Sequence, residues 1–126
     1  MVRLSGYSRT RSTGQTCELS GLSLSAIRRL AGTQVRVSGI LDLGNAHALH
    51  DLAIACLARG RPLIIDIQDA ISADTAGAAV LLHIYAVARK SGCVLAIVHP
   101  TPAVNKMLAL LQLDKILPLY PPGIPG

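Results

Sequence analysis

Phenylalanine and tryptophan are absent from this sequence, and tyrosine occurs only as Tyr7, Tyr85 and Tyr120. A core must therefore be packed from Leu, Ile, Val and Ala. The aromatic platforms on which single-stranded nucleic acid stacks are missing. No Walker or dinucleotide glycine motif occurs, so the chain is not expected to bind a nucleotide or other cofactor. The three cysteines, Cys17, Cys56 and Cys93, are an odd number without metal-ligand spacing. Cys56 and Cys93 lie in apolar patterns and read as small buried hydrophobes of a reduced, cytoplasmic protein. The N-terminus has arginines but no apolar signal-peptide run. The longest apolar helical stretch, near residues 76–88, contains His83 and stops at Arg89-Lys90. It is too short to enter and cross a bilayer.

What is present is enough for one domain. Half of the 126 residues are apolar (51%), sufficient for a single core. The formal charge of +5 is spread unevenly, with Arg28, Arg29 and Arg36 as the densest basic group. These fall on a predicted hairpin rather than a groove-reading helix, so direct binding to nucleic acid is not expected.

Residues 1–20 are rich in Ser, Thr, Gly and Arg without sustained periodicity and read as a flexible basic tail. The domain is placed at 21–121, with a Pro/Gly-rich end at 122–126. Leu22, Leu24 and Ala26 alternate with polar residues, Ala31-Gly32 allows a turn, and Gln34 to Ser38 alternate again, which predicts a β-hairpin. Ser38 to Gly44 reads as a connector. Asn45 is a good N-cap for a helix with the stripe Leu49, Leu52, Ala53, Cys56 and Leu57, stopped by Gly60 and Pro62.

A buried strand follows from Pro62 to Ile67. A second helix from Thr75 has Val80, Leu81, Ile84, Val87 and Ala88 on one face. Cys93 to Val98 is a further strand. Thr101-Pro102 opens a third helix with Val104, Met107, Leu108 and Leu111, and Ile116 to Leu119 forms a short edge strand. The order β-β-α-β-α-β-α-β predicts an α/β fold. Its sheet is mixed, of four to five strands, with an N-terminal antiparallel hairpin, parallel crossovers and helices packed on it.

Asp74-Thr75-Ala76-Gly77 is the most informative stretch, because it sets a hydroxyl at a helix N-terminus, where N–H groups are unpaired and the dipole is positive. The plain alternatives are that Thr75 is a cap worth about 1 kcal/mol and that Asp42 and Asp74 are turn acids. His47 and His50 share a helical face without a third ligand, so no metal site is expected. His83 is either surface or a partner contact. Ser23, Ser25 and Cys93 lack the base and orienting group of a nucleophile, so the chain is not expected to be an enzyme.

Several segments follow one another in the order of a known family. They are Gly39-Ile40-Leu41-Asp42 with Asn45-Ala46, Leu63-Ile64-Ile65-Asp66-Ile67, Asp74-Thr75-Ala76-Gly77, Gly92 to Val98, Thr101-Pro102-Ala103-Val104 and Leu113-Asp114-Lys115-Ile116-Leu117. Over roughly residues 22–120 the chain resembles a STAS domain, the fold of bacterial anti-sigma factor antagonists and of sulfate-transporter tails. The resemblance implies an interaction module that docks a rim onto an anti-sigma factor kinase and so frees a sigma factor. Thr75 would be the phosphorylated hydroxyl whose modification releases the complex. Asp42, Asp74, Thr75, Ala76, Gly77, Ala78 and His83 would form the partner contact. The chain departs from the family pattern with Thr in place of the commoner Ser, Ala76 in place of a second hydroxyl, and Ile40 in place of the usual glutamate.

A second branch is also similar. STAS subunits of bacterial phospholipid-transport ABC complexes carry Asp-Thr-x-Gly followed by Leu-Leu-His, as in Leu81-Leu82-His83 here. In that branch the threonine contacts the ATPase subunit. The C-terminal third sits more naturally with the antagonists.

Overall fold

The computed structural model describes residues 8–9, 14–58 and 61–120. Gly60 and the end at 122–126 lie outside them. Seven strands and three helices follow in the order β1 (Ser8–Arg9), β2 (Gly14–Leu19), β3 (Leu22–Arg29), β4 (Gly32–Leu41), α1 (Ala46–Cys56), β5 (Leu63–Ala73), α2 (Thr75–Lys90), β6 (Leu95–Val98), α3 (Pro102–Leu110) and β7 (Leu119–Tyr120), with a 3-10 turn at Leu113–Lys115 before β7. The strands lie side by side in chain order. Pairings are antiparallel from β1 to β4 and parallel from β4 to β7. The α/β fold, the hairpin and the parallel crossovers are therefore as expected, in a wider sheet.

The core is aliphatic, as the missing aromatics require. Leu24, Val35, Leu49, Ile65, Leu81, Ile97 and Leu108 are almost completely buried. α1 packs on β3 and β4, α2 on β5 and β6, and α1 and α2 lie against each other. Thr101 caps α3 by accepting from the Val104 N–H, and its own hydroxyl donates to the Ala70 carbonyl at 3.0 Å. That bond ties α3 to the far part of β5.

Three boundaries differ from expectation. The largest difference is in the segment read as a flexible tail. Residues 14–19 pair along β3 over six residues, and Cys17, opposite Leu24, is 1% exposed. The domain therefore begins before residue 21. With one buried apolar residue among Gly, Gln, Thr and Glu, the strand was too polar to show a pattern. Its turn was visible: Ser20-Gly21 is a two-residue loop with φ of 47° and 83°, the twist that suits a hairpin. Second, Ser38 to Leu41 continue β4 instead of forming a connector, and β5 runs on to Ala73 beside them with two register shifts. Bulges erased the alternation by which this stretch would have been recognised. Third, the last strand is displaced to Leu119–Tyr120, because Ile116 and Leu117 are held in the turn, their N–H groups donating to the Leu113 carbonyl at 3.0 and 2.9 Å.

A close approach sets α2 on the end of β4. A Cβ at Gly77 would stand 2.5 Å from the Leu41 carbonyl oxygen and 2.9 Å from its Cγ. The Asp74 N–H donates to the same Leu41 oxygen at 3.1 Å.

Two outcomes follow from this packing. Deletion of residues 1–20 is expected to expose Leu24 and lower the melting temperature by roughly 8–16 °C, as a loss of about 2 kcal/mol would. Scanning calorimetry of full-length and truncated chains checks it, and an unchanged transition would show that β2 contributes nothing. For Gly77→Ala, helix propensity favours alanine by about 1 kcal/mol, while crowding a packed site costs about 1–3 kcal/mol. Against backbone at this distance the clash prevails, and the urea midpoint should fall.

Candidate functional site

The carboxyl ends of β4 and β5 form a rim, and hydrogen bonds from two buried or half-buried polar side chains shape it. After Leu41 the chain turns through Asp42-Leu43-Gly44 into α1. The Asp42 carbonyl accepts from the Asn45 and Ala46 N–H groups at 3.1 and 2.8 Å, and its carboxylate accepts from Gly44 N–H at 2.9 Å. Asn45 is fully buried. It stands at the N-cap position, yet its side chain makes no cap bond. Its Oδ1 instead accepts from Asp42 N–H at 2.9 Å, while Nδ2 donates to the Ile40 carbonyl at 2.9 Å and the Ser20 carbonyl at 3.1 Å. One amide thus holds the β2–β3 turn, the end of β4 and the α1 turn together.

Asp74 does the same work between the next two elements. Its Oδ1 accepts from Gly77 N–H at 2.8 Å, which caps α2. Its Oδ2 accepts from Leu43 N–H at 3.1 Å, across from the β4 loop. Capping therefore belongs to Asp74, and Thr75 is the first residue of the helix. Thr75 is exposed, and its hydroxyl makes no hydrogen bond among the described residues. The cap reaches the third helical N–H, so those of Thr75 and Ala76 remain free of intrahelical partners beside the hydroxyl.

The residues expected to touch a partner separate into three groups. Asp42, Asp74, Thr75 and Ala76 lie on the rim, with Thr75 the most open of them. Gly77 is packed against Leu41 and Ala78 is fully buried, so both set the position of α2 and do not face a partner. His83 is exposed, but it lies about 12 Å further along α2. Its ring stacks on His50 of α1, with centroids 4.8 Å apart and planes tilted by 40°, and His50 Nδ1 is 3.3 Å from Asp51 Oδ1. His47 is exposed and outside that contact. Among the described residues no group of three or more His, Cys, Asp or Glu is placed to hold a metal ion.

Sequence reasoning missed the apolar part of the rim. Leu43 is 79% exposed, Ile71 67% and Ile40 44%, all beside the ends of β4 and β5. Large apolar side chains gathered at an exposed edge mark an interaction surface. The available signal was Leu43 itself, an apolar residue between Asp42 and Gly44 where a turn needs none. Also unforeseen was the buried Asp66, which accepts from Gln34 Nε2 at 3.2 Å and Gln68 N–H at 3.0 Å and faces Arg36 Nε at 3.8 Å.

Cys17 and Cys93 are buried and Cys56 packs against the core. Burial pushes the Cys56 thiol up, and burial followed by the Glu18 charge pushes up that of Cys17. Cys93 Sγ donates to the Arg61 carbonyl at 3.2 Å. No helix among the described residues is long and apolar enough to cross a membrane.

A search of curated proteins returns no match. Among solved structures, the fold is similar to an anti-sigma factor antagonist from Mycobacterium paratuberculosis. Identity is 29%, 79% of this chain and 86% of that chain are covered, and the TM-score is 0.70. A Thermotoga maritima protein proposed as an anti-sigma factor antagonist is similar at 22% identity, covering 75% and 83%, with a TM-score of 0.63. At that identity the likeness is one of fold. The family model described as "Mlab, STAS domain" matches residues 26–119, from β3 through the rim to β7, and the chain belongs to the STAS domain family.

Proposed function

We propose that the chain is an anti-sigma factor antagonist, a protein-binding module without catalysis of its own. The rim around Asp42, Leu43, Ile71 and Thr75 docks onto an anti-sigma factor that is a serine/threonine kinase, which frees a sigma factor. Phosphorylation of Thr75 by that kinase ends the contact. The likeness to the mycobacterial antagonist supports the role. The observation that carries the switch is the exposed Thr75 hydroxyl on a helix already capped by Asp74. That hydroxyl has no structural task, so its modification need not disturb the fold.

The energetics fit such a switch. Leu43, Ile71 and Ile40 supply apolar area, and Thr75, next to the Asp74 that holds Leu43, lies on the same rim where a partner would exclude water. A phosphate brings about −1.5 to −2 charges at neutral pH. On the free protein it would meet the free N–H groups and positive dipole at the start of α2. In the complex the same charge must be desolvated close to Asp74 and Asp42, and juxtaposed like charges cost several kcal/mol.

A second reading uses the same rim to grip the ATPase subunit of a phospholipid-transport ABC complex. The exposed His83 after Leu81-Leu82 favours it, as does the family model's own description. In that case Thr75 is a constitutive contact. Neighbouring genes for a kinase and a sigma factor, or for a permease and an ATPase, separate the two readings.

Thr75→Ala is expected to fold as the wild type and to resist labelling by the cognate kinase with ATP. Equal labelling would move the phosphosite elsewhere. Thr75→Glu should also fold, and calorimetric titration against the kinase should show binding at least tenfold weaker, the direction set by a desolvated like charge. A carboxylate carries less charge than phosphate, so the mimic is partial. If Thr75→Glu, folded by circular dichroism, binds as tightly as wild type, the electrostatic switch is untenable.

A further inference from the structure

The end of the sheet opposite the rim holds a cavity of about 290 Å³ between the start of β4 and the end of α1. Thr33, on its wall, lies some 26 Å along β4 from Leu41, so the cavity is remote from Thr75. Ala26, Ala55 and Leu57 give it apolar sides, and Arg28 and Arg61 bring two guanidinium groups. The cations have no compensation: among the described residues, no carboxylate lies within ion-pair distance of either arginine.

The polar groups are fixed in place and underused. Arg61 donates to the carbonyls of Arg29 and Gly32, which anchors its guanidinium, while its Nε is buried with no partner. Thr33 is 6% exposed, and its N–H bonds the Pro62 carbonyl, yet its hydroxyl has no partner among the described residues. A buried side-chain nitrogen is ordinarily satisfied, so the orphaned Arg61 Nε, beside the free Thr33 hydroxyl, marks polar capacity on the cavity wall that the fold itself does not use.

We propose that this cavity binds a small organic anion, a carboxylate on a short aliphatic chain. The carboxylate would lie between Arg28 and Arg61 and accept from the Thr33 hydroxyl, with its chain against Ala26, Ala55 and Leu57. A single negative charge is favoured over a phosphate dianion for a physical reason. α1 presents its C-terminal end here, where the helix dipole is negative, and no helix N-terminus is turned to the site. At about 30 Å³ for a water-sized group, the volume takes about ten heavy atoms, the size of octanoate.

The test is calorimetric titration of the full chain with sodium octanoate, with octylammonium and inorganic phosphate as parallel arms. Octanoate should saturate a single site, and the other two should not bind. Ala55→Leu places a larger side chain on an exposed wall position and should abolish binding. Arg28→Gln, also exposed, should weaken it about tenfold, as loss of a charge-assisted bond does. Circular dichroism confirms that each variant is folded. Failure of octanoate to saturate by about 10 mM, equal binding of octylammonium or phosphate, or unchanged binding by both variants would each overturn the proposal. The site is independent of the rim, so Thr75→Glu should leave octanoate binding as it is.

Discussion

The carboxylate of Asp74 is the interaction on which the rim depends. One oxygen closes the first turn of α2 and the other holds the Leu43 N–H of a loop that belongs to a different crossover. Without it the two loops at the carboxyl ends of β4 and β5 would be joined, among the described residues, through the Leu41–Ala73 strand pairing, the Leu41 carbonyl bond and the Gly77 contact. Asn45 extends the chain of bonds to the β2–β3 turn. The rim is thus built from loops but held by hydrogen bonds to side chains of restricted exposure. That is how a surface made of turns stays preorganised for a partner.

The order of elements was legible in the sequence because the apolar periodicities were strong from Leu22 onward and because a core without Phe or Trp leaves little choice of packing. What failed to read was whatever ran against periodicity. β2 buries Cys17 amid polar residues, and the register shifts between β4 and β5 hide an extended pair inside what looks like a connector. In the signature itself the plain alternative, Thr75 as the helix cap, is not what the structure shows, since Asp74 takes that place. Four residues at a helix start do not reveal which one caps it. Asp74 wins over Thr75 because its carboxylate reaches both Gly77 and Leu43, a contact 31 residues back along the chain that no local pattern encodes. Gly77 likewise reads as a contact residue until the approach of Leu41 shows why only a small residue fits, and Ala78 until its burial is seen.

Charge is sorted along the strand direction. Asp42, Asp69 and Asp74 lie toward the carboxyl ends of β4 and β5, while Arg28, Arg29 and Arg61 gather near the opposite end. A chain with a net charge of +5 therefore presents this rim as its more acidic part. Net charge alone would misstate what approaches that rim, because association is steered by the local field within a Debye length of about 8 Å at physiological ionic strength. A basic partner surface suits the rim, and added negative charge at Thr75 would at first strengthen the long-range attraction.

That last point constrains how a phosphate could act. If approach is helped by extra negative charge, the loss of binding must arise at contact, from desolvation and from packing of Leu43, Ile71 and Ile40 against the partner. The start of α2 makes this separation workable. The free N–H groups at Thr75 and Ala76 lend a phosphate local support on the free protein, so the modified monomer is not driven to unfold. The partner, in covering Thr75, would have to strip water from an anion whose nearest fixed charges are Asp74 and Asp42. Asp74 cannot turn away, since both of its oxygens are engaged within the fold. The same two bonds that hold the rim in shape therefore fix a negative charge beside the hydroxyl, and under the proposed function a rigid rim is what would turn one added phosphate into a change of affinity.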